Sequence, residues 1–324
     1  MSKIVVTFDA DEQERSLLHD MLTEQIITYL MDLSDKDRSI ALERAEIILA
    51  WNIPKEIRPE EYQKMKNLRF IQLISAGADH LPFDLIPKDV KIASNTGAYA
   101  VPIAEHVMAL TLALAKNLFI QHKKLSNGEF DQFSPNVSLK DSVCGILGLG
   151  GNGKAIARLM RSFGTKIYAI NTSGKTDLNV DFIGTLEDLD YVLSNSDIIV
   201  IALPLNKDTR GLIGREKLEI MKKDAILVNI ARGEIVDEYA LYKHLKNNPR
   251  FKVGTDVWWV EPFRDGKFQT RYPFFDLPNF LGSPHNSAIV PNVILDATHN
   301  AAENILRFLK GETLKGVVRR EDYI

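Results

Sequence analysis

Short runs of apolar residues recur along the first part of the chain, and helical patterns of apolar positions fall between several of them. The runs predict strands at 4–8, 27–31, 46–51, 69–74 and 91–94. Short strands that are apolar throughout and alternate with helices are typical of a parallel sheet that is covered on both faces. The first part of the chain is therefore predicted to form an α/β domain.

A second series of the same kind follows a long apolar helical pattern at about 101–116 and a polar, irregular segment at 126–141. Its strands are predicted at 143–147, 166–170, 198–203, 225–230, 251–256 and 280–283. A long amphipathic helix is predicted at about 293–309. The pattern as a whole indicates the α/β fold class with two domains.

A glycine-rich turn joins the predicted strand at 143–147 to a helix. Its residues are Gly148, Gly150, Gly151, Asn152 and Gly153, with the spacing G-x-G-x-x-G. Glycines permit a tight turn and let backbone N–H groups approach a pyrophosphate, and the helix N-terminus adds a favourable potential. Because the turn lies between a strand and a helix, it predicts binding of a dinucleotide cofactor, NAD or NADP.

Residues 148–154 also fit the pattern G-x-x-x-x-G-K, which opens a loop that binds nucleoside triphosphates. That loop needs Ser or Thr after the lysine to hold magnesium, and here the residue is Ala155, which has no hydroxyl. The strand at 198–203 is also followed by Pro204 rather than by a metal-binding aspartate. A phosphate-loop nucleotidase is thus a disfavoured alternative, and a glycine turn that binds nothing also stays open.

Composition and charge narrow the class of protein. The 324 residues are 45% hydrophobic and 26% charged, which is the balance of a globular protein with room for two domains. The formal net charge is −3 without a long basic stretch, so nucleic acid is not an expected partner. The single cysteine, Cys144, reads as a core residue, allows no internal disulfide and suits a reducing compartment.

Neither a leader nor a membrane span is expected. The strand at 4–8 leaves no room for a targeting segment before it. The most apolar helical stretch, 106–115, is about half of the ~20 residues that cross a bilayer. We expect a soluble, cytoplasmic protein with no membrane partner.

Three ionisable residues, Arg232, Glu261 and His285, follow successive predicted strands. The carboxyl ends of parallel strands meet at one edge of a sheet, where ligands bind. Taken alone, each residue is more often a solvated, loop or structural residue. Their common position, after a dinucleotide-binding turn, predicts a catalytic site, and no spacing typical of metal ligands accompanies it.

Several short segments, taken together, carry a resemblance over nearly the whole chain. They are Ser-Ala-Gly-Ala-Asp at 75–79, Asn-Thr-Gly at 95–97, Ala-Glu-His at 104–106, Leu203-Pro204, Asn-Ile-Ala-Arg-Gly at 229–233, Asp256-Val257, Glu261-Pro262 and Pro284-His285. With the glycine turn, they resemble the D-isomer-specific 2-hydroxyacid dehydrogenases. This combination is far more specific than the glycine turn alone.

The resemblance implies a reaction in which hydride passes between NAD(P)H and a 2-keto acid to give a D-2-hydroxy acid. His285 is implied to donate a proton to the keto oxygen and to take it back in oxidation. Glu261 is implied to pair with His285 and to favour the imidazolium form. Arg232 is implied to polarise the carbonyl and to hold the carboxylate.

The resemblance also implies which residues bind the ligands. The backbone N–H groups of Ser75, Ala76 and Gly77 are implied to bind the substrate carboxylate, and Asp256 to contact the nicotinamide amide. The remaining residues that are implied to line the cofactor site are Leu203, Pro204, Thr209, Ile230 and Ala231.

The family's architecture implies two Rossmann-like domains. A doubly wound parallel-sheet cofactor domain, 96–288, is expected to be inserted into a smaller flavodoxin-like substrate domain, 1–95 and 289–324. A homodimer is also implied, with the helix at 101–116 contributing to its interface.

The end of the strand at 166–170 bears on the choice between NADP and NAD. An acidic residue there would bind the adenosine ribose and repel a 2′-phosphate. This chain has Asn171, followed by Thr172, Ser173 and then Lys175. Because nothing at Asn171 repels a phosphate, NADP is modestly favoured. NAD stays open, since Asn171 could bind a ribose and the arginine of many NADP-binding relatives is missing.

The substrate is not determined by the sequence. Glyoxylate, hydroxypyruvate and phosphohydroxypyruvate stay open, and the pair Trp258-Trp259 together with 286–288 departs from the family pattern in ways that bear on substrate size. Formate is disfavoured, because formate dehydrogenases of this kind typically carry Gln where this chain has Glu261. A nucleotide-sensing corepressor that retains the same triad is an alternative of another class.

Overall fold

The computed structural model describes residues 3–324, which form two compact units. Unit 1 consists of the chain up to Tyr99 together with Val290–Ile324, and unit 2 is Ala100–Ile289. The chain thus leaves unit 1, builds unit 2 and returns. Which unit takes the substrate and which the cofactor stays a prediction.

The elements alternate in both units. The strands are β1 Lys3–Val6, β2 Ile26–Tyr29, β3 Ile47–Ala50, β4 Phe70–Leu73, β5 Lys91–Ala93, β6 Val143–Leu147, β7 Lys166–Ile170, β8 Phe182–Gly184, β9 Ile198–Ile201, β10 Ile226–Asn229, β11 Lys252–Thr255 and β12 Phe280–Gly282. The helices are α1 Glu12–Met21, α2 Asp35–Arg44, α3 Ile53–Glu56, α4 Ala100–Ala115, α5 Leu118–Ser126, α6 Gly151–Ser162, α7 Leu189–Asn195, α8 Arg215–Ile220, α9 Glu238–Asn247, α10 Pro262–Asp265 and α11 Val293–Lys310. Short 3-10 turns lie at Leu30–Asp32, Pro59–Lys64, Leu186–Asp188, Gly233–Ile235, Phe274–Asp276 and Arg320–Asp322.

Unit 1 contains a five-stranded parallel sheet with the order β2-β1-β3-β4-β5. This is the flavodoxin-like order that the family resemblance implies. The C-terminal helix α11 is attached to this unit by buried polar bonds: Asn304 Nδ2 donates to Gln72 Oε1 at 2.6 Å, and Asn95 Nδ2 donates to the carbonyl of Ala297 at 2.8 Å. These bonds explain why the end of the chain returns to the N-terminal unit.

Unit 2 contains a seven-stranded parallel sheet with the order β12-β11-β10-β9-β6-β7-β8. The strand order reverses between β6 and β9, since β6 pairs with both β7 and β9. In doubly wound sheets ligands bind beside such a reversal, at the carboxyl ends of the strands. The loops that follow β6, β7, β9, β10, β11 and β12 therefore form the candidate site of this unit.

The structure differs from the predicted elements in several places. Several strands end earlier than predicted, among them β1 at Val6, β2 at Tyr29, β9 at Ile201 and β11 at Thr255, so the residues beyond them belong to turns and loops. The edge strand β8 and helix α5 were not predicted, and no residue of α5 is buried.

No single helix among residues 3–324 has both the length and the apolar character needed to cross a membrane. The pair α4 and α5, bent by 55°, meets that requirement only when the two are counted together, and by length and composition alone. Half of the residues of α4, including Val107 and Leu114, are buried in the protein.

Candidate active site

The glycine turn after β6 meets three different structural needs. Gly148 has φ +102°, and a Cβ there would lie 2.7 Å from the carbonyl oxygen of Ala202. A Cβ on Gly153 would lie 2.1 Å from the carbonyl oxygen of Gly148, so α6 approaches the turn only because this residue is glycine. A Cβ on Gly150 would meet nothing within 4 Å. Packing therefore requires glycine at 148 and at 153, whereas Gly150 borders open space.

The open space lies at the N-terminus of α6, whose first N–H groups have no partner within the helix. Unpaired N–H groups at a helix N-terminus attract anions, and a phosphate can approach them closely where no Cβ intervenes. Asn152 Oδ1 is buried and accepts no hydrogen bond within 3–324. The residues present therefore fit the pyrophosphate of a dinucleotide.

The loop after β7 is organised by Asn171. Its Oδ1 accepts the N–H groups of Ser173 at 3.1 Å and Gly174 at 2.7 Å, and its Nδ2 donates to the carbonyl of Lys175 at 2.8 Å. The amide thus folds the loop on itself and leaves Thr172, Ser173 and Lys175 exposed.

A lysine and an aspartate form an ion pair beside this loop. Lys154 Nζ, on α6, lies 2.5 Å from Asp177 Oδ1, and this hydrogen bond lowers the pKa of Asp177. The charge of Asp177, six residues after Asn171, is therefore compensated by Lys154.

After β9, Thr209 shapes the turn that begins at Pro204. The buried Thr209 hydroxyl donates to the carbonyl of Pro204 at 2.6 Å and accepts the N–H of Asn206 at 2.9 Å. Leu203 is half-buried and Pro204 is exposed at the edge of the sheet. Cofactor contacts of these three residues stay predictions.

The segment after β10 is held by Asn229. Its Oδ1 accepts the N–H of Ala231 at 3.0 Å, and its Nδ2 donates to the carbonyl of Arg232 at 2.9 Å. Gly233 follows where a Cβ would lie 2.3 Å from the backbone of Trp258. The backbone around Arg232 is therefore fixed, and its guanidinium donates at 2.8 Å to the carbonyl of Ala231. Ile230 and Ala231 are buried, and their contacts with cofactor stay predictions.

Glu261 and His285 form the pair that the sequence predicts. Glu261 Oε2 lies 2.7 Å from His285 Nδ1, and Glu261 Oε1 accepts the N–H of Trp258 at 2.7 Å. The carboxylate is nearly buried, with 12% of its side chain exposed, whereas the imidazole is 41% exposed. Because Nδ1 is occupied, Nε2 is the ring nitrogen that can exchange a proton with a ligand.

Both tryptophans of the pair at 258–259 point into the framework of this unit. Trp258 Nε1 donates to the carbonyl of Ser283 at 2.8 Å, and Trp259 Nε1 donates to the carbonyl of Val236 at 2.7 Å. The ring of Trp259 also stacks on Phe274 with centroids 5.4 Å apart. The two indoles therefore support the segments that carry Glu261 and His285.

Asp256 lies under the loop that carries His285. It is 0% exposed, and its Oδ1 accepts the hydroxyl of Ser283 at 2.6 Å and the N–H of Asn286 at 3.1 Å. Its Oδ2 accepts the N–H of Ser287 at 3.0 Å. Sequence reasoning missed this role, because nothing in the sequence shows which way the Asp256 side chain points. A contact between Asp256 and the nicotinamide amide stays a prediction.

In unit 1, Ser75, Ala76 and Gly77 follow β4 at the carboxyl edge of the sheet. Ser75 Oγ donates to the carbonyl of Gly77 at 3.0 Å, and the carbonyl of Ser75 accepts the N–H of Asn95 at 2.9 Å. The N–H groups of the three residues donate to no acceptor within 3–324. Successive unpaired N–H groups suit a carboxylate.

Cys144 lies in β6 as a core residue, as predicted. It is 0% exposed, and burial raises the pKa of its thiol to about 12. The thiol is therefore not activated for nucleophilic chemistry.

Comparison with known proteins identifies the family of this chain. Residues 108–287 match the family model for the NAD binding domain of D-isomer specific 2-hydroxyacid dehydrogenases. A hydroxypyruvate reductase from Thermotoga maritima is 33% identical over 226 residues, which are 69% of this chain and 72% of that protein. A D-3-phosphoglycerate dehydrogenase from Methanocaldococcus jannaschii is 28% identical over 98% of this chain, and the match spans only 59% of that longer protein.

A solved structure gives the same result. A D-isomer specific 2-hydroxyacid dehydrogenase from Xanthobacter autotrophicus Py2, in complex with NADPH and MES, superimposes with a TM-score of 0.81 at 25% identity, and 99% of each chain is covered. The nucleotidase and corepressor alternatives gain no support from these proteins. The chain therefore belongs to the D-isomer specific 2-hydroxyacid dehydrogenase family, oxidoreductases that use NAD(P) to interconvert 2-keto and 2-hydroxy acids.

Proposed function

We propose that this enzyme reduces a small 2-keto acid to the D-2-hydroxy acid with His285 as its acid–base catalyst. The observation that carries the proposal is the 2.7 Å bond between Glu261 Oε2 and His285 Nδ1, at the same sheet edge as the glycine turn. The bound nicotinamide supplies or accepts the hydride. His285 Nε2 donates a proton to the keto oxygen as negative charge grows there.

Glu261 and Arg232 complete the catalytic group. The Glu261 carboxylate occupies His285 Nδ1, so that Nε2 faces the ligand as the proton donor in reduction. Arg232 binds the substrate carboxylate and polarises the keto group, since a planar guanidinium can reach two oxygen atoms together. In unit 1, the N–H groups of 75–77 are proposed to bind a substrate carboxylate.

The substrate class is proposed from the relatives. We propose hydroxypyruvate and glyoxylate as the first candidates, because relatives of this chain are named hydroxypyruvate reductase and glyoxylate reductase. The test is oxidation of NADH and of NADPH in the presence of glyoxylate, hydroxypyruvate, pyruvate and phosphohydroxypyruvate in turn. No turnover with any of the four, or ATP hydrolysis in their place, would contradict the proposal.

The cofactor is proposed to be NADP rather than NAD, by a modest margin. Asn171 carries no charge that repels a 2′-phosphate, and the side chains of Thr172, Ser173 and Lys175 are exposed beside it. The related structure from Xanthobacter autotrophicus contains NADPH. The measurement is kcat/KM for NADPH and NADH with one keto acid. A tenfold preference of the wild type for NADH, equivalent to about 1.4 kcal/mol, would contradict the assignment.

A matched variant sharpens the cofactor test. Asn171→Asp should raise the preference for NADH, because the carboxylate accepts ribose hydroxyls and repels a 2′-phosphate. Asp35→Asn, at an exposed ion pair with Arg58 in unit 1, provides a charge-altering control. Its cofactor ratio should equal that of the wild type.

We also propose that the enzyme is a cytoplasmic homodimer. No residue of α5 is buried, and its Leu118 and Phe119 are exposed together with Phe130 and Phe133, which are 78% and 86% exposed. Large exposed apolar groups of this kind mark protein interfaces. A second copy of the chain is the partner that the family resemblance implies. The single buried thiol, Cys144, suits a reducing cytoplasm.

A further inference from the structure

Three side chains of unit 2 form a hydrogen-bonded cluster behind the His285 loop. His106 Nε2, on α4, lies 2.8 Å from Ser283 Oγ, and this hydroxyl lies 2.6 Å from Asp256 Oδ1. His106 Nε2 is also 3.7 Å from Asp256 Oδ1. These hydrogen bonds do not include the side chain of His285. The proposed chemistry uses neither Ser283 nor His106.

The directions of these bonds form one consistent set. A buried carboxylate accepts only, so the Ser283 hydroxyl donates to Asp256. The lone pairs of that hydroxyl then accept the Nε2–H of His106. Asp256 is 0% exposed, and a buried carboxylate is costly unless hydrogen bonds compensate it. Ser283 and His106 provide part of that compensation.

The backbone of His285 shows why its loop needs such support. His285 has φ +52°, in the left-handed region that residues with a side chain rarely adopt. Strained backbone persists only where the surroundings determine it. Asp256 binds the Ser283 hydroxyl on one side of His285 and the N–H groups of Asn286 and Ser287 on the other.

The same framework reaches Glu261. Trp258 Nε1 donates to the carbonyl of Ser283 at 2.8 Å, and the Trp258 N–H donates to Glu261 Oε1 at 2.7 Å. Asp256 and Trp258 therefore hold both members of the pair from one short segment. A small displacement of the loop would change the orientation of the imidazole relative to Glu261.

From this geometry we propose that Ser283 and His106 are positioning residues for catalysis. They orient Asp256, and Asp256 in turn holds the loop so that His285 meets Glu261 and the substrate. The proposal rests on the proposed role of His285 as the acid–base catalyst. It assigns a function to α4, from which His106 reaches a residue 177 positions later in the chain.

The experiment is a double-mutant cycle between Ser283→Ala and His285→Ala. Ser283→Ala should lower kcat by about 10- to 100-fold in the wild-type background, which is the effect of a small misplacement of a reacting group. In the His285→Ala background the same change should lower kcat by less than about twofold, because the group that Ser283 positions is gone. The melting temperature and the cofactor Kd are measured for every variant.

Further variants keep the test informative if Ser283→Ala folds poorly. His106→Leu removes the donor from a partly exposed side chain and should lower kcat in the same way. Ser283→Thr and His106→Gln keep a hydroxyl and an N–H donor and should restore most of kcat. Ser162→Ala, whose hydroxyl bonds only to the carbonyl of Leu159 on α6, is the matched control and should leave kcat unchanged.

The outcomes separate the two proposals. If His285→Ala has near-normal turnover, the proposed function fails. If His285→Ala is slow but Ser283→Ala lowers kcat equally in both backgrounds, or leaves it unchanged in the wild-type background, the positioning role is wrong.

Discussion

At Glu261 a negative charge lies within hydrogen-bond distance of the proposed proton donor. A carboxylate 2.7 Å from His285 Nδ1 fixes the orientation of the ring. In Glu261→Gln the shape is kept, but the amide can turn its NH2 group towards Nδ1, so the bond that fixes the ring is weakened. The kcat of keto acid reduction should therefore fall by about 10- to 100-fold, which is the effect of a small misplacement of a reacting group.

The comparison needs a surface control. Glu219→Gln, at an exposed ion pair with Arg215, should leave kcat unchanged. A wild-type kcat in Glu261→Gln would show that the pair does not position His285 for catalysis.

Individual site residues could be predicted from the sequence only where they directly follow a predicted strand. Arg232, Glu261 and His285 were found because each follows a predicted strand, and strand ends share one edge. The direction in which a side chain points cannot be predicted from its place after a strand. The burial of Asp256 under the His285 loop and the bond from His106 to Ser283 emerge only from the folded chain.

At the scale of elements, two glycines of the turn before and within α6 have different roles: Gly150 is expected to serve cofactor binding, and Gly153 the packing of the helix. Gly150→Ala places a methyl group where nothing lies within 4 Å, at a φ of −88° that alanine adopts freely. The fold should be kept, while the cofactor Kd should rise because the methyl group obstructs the pyrophosphate. A wild-type Kd for this variant would contradict the proposed cofactor position.

Gly153→Ala is the comparison for Gly150→Ala, since it adds the same methyl group at a crowded position of the same turn. Its Cβ would lie 2.1 Å from the carbonyl oxygen of Gly148, so α6 must move away from the turn. Overpacking of this kind costs about 1–3 kcal/mol. Thermal unfolding should show a lower melting temperature for Gly153→Ala than for Gly150→Ala.

The short helix α3 ends in a half-buried carboxyl group, that of Glu56. Glu56 accepts the hydroxyl of Thr7 at 2.6 Å and the N–H of Asn52 at 2.5 Å, yet burial outweighs these bonds and raises the pKa of Glu56. A group with a raised pKa in the folded state contributes its stability below its unfolded-state pKa and loses it as the pH rises through the folded-state pKa.

The prediction compares the wild type with Glu56→Gln, which does not titrate. The free energy of unfolding of the wild type, relative to the variant, should fall as the pH rises from mildly acidic to neutral. Urea unfolding of both proteins at the two pH values measures the difference. A difference that is constant, or that grows with pH, would contradict the raised pKa.

Most of the strands that the sequence predicts are continuous apolar runs, and they include the three-residue strands β5 and β12. The strands β6 and β7 agree with their predicted bounds, and α11 begins where it was predicted to begin. The edge strand β8 and the helix α5 were missed. In α5 the apolar residues Leu118 and Phe119 are adjacent and exposed, so they do not show the spacing of a buried helix face.

At the scale of the whole molecule, the exposed apolar groups of unit 2 predict self-association. Phe133→Ser should weaken the homodimer, because it removes an aromatic group that is 86% exposed. Sedimentation at several protein concentrations should show a dimer for the wild type and a larger monomer fraction for the variant. Met31→Ser, in unit 1 and 55% exposed, is the control and should remain dimeric. A wild type that is monomeric at all concentrations would exclude the dimer.

The proposed reaction transfers hydride to the keto carbon of a 2-keto acid, with His285 as the acid. It is tested by the rate and the chirality of reduction of hydroxypyruvate or pyruvate by the wild type and by His285→Ala. We expect a D-product from the wild type and a kcat lower by about 10²- to 10⁴-fold in the variant, with cofactor binding nearly unchanged. An L-product, or near-normal turnover by His285→Ala, would contradict it.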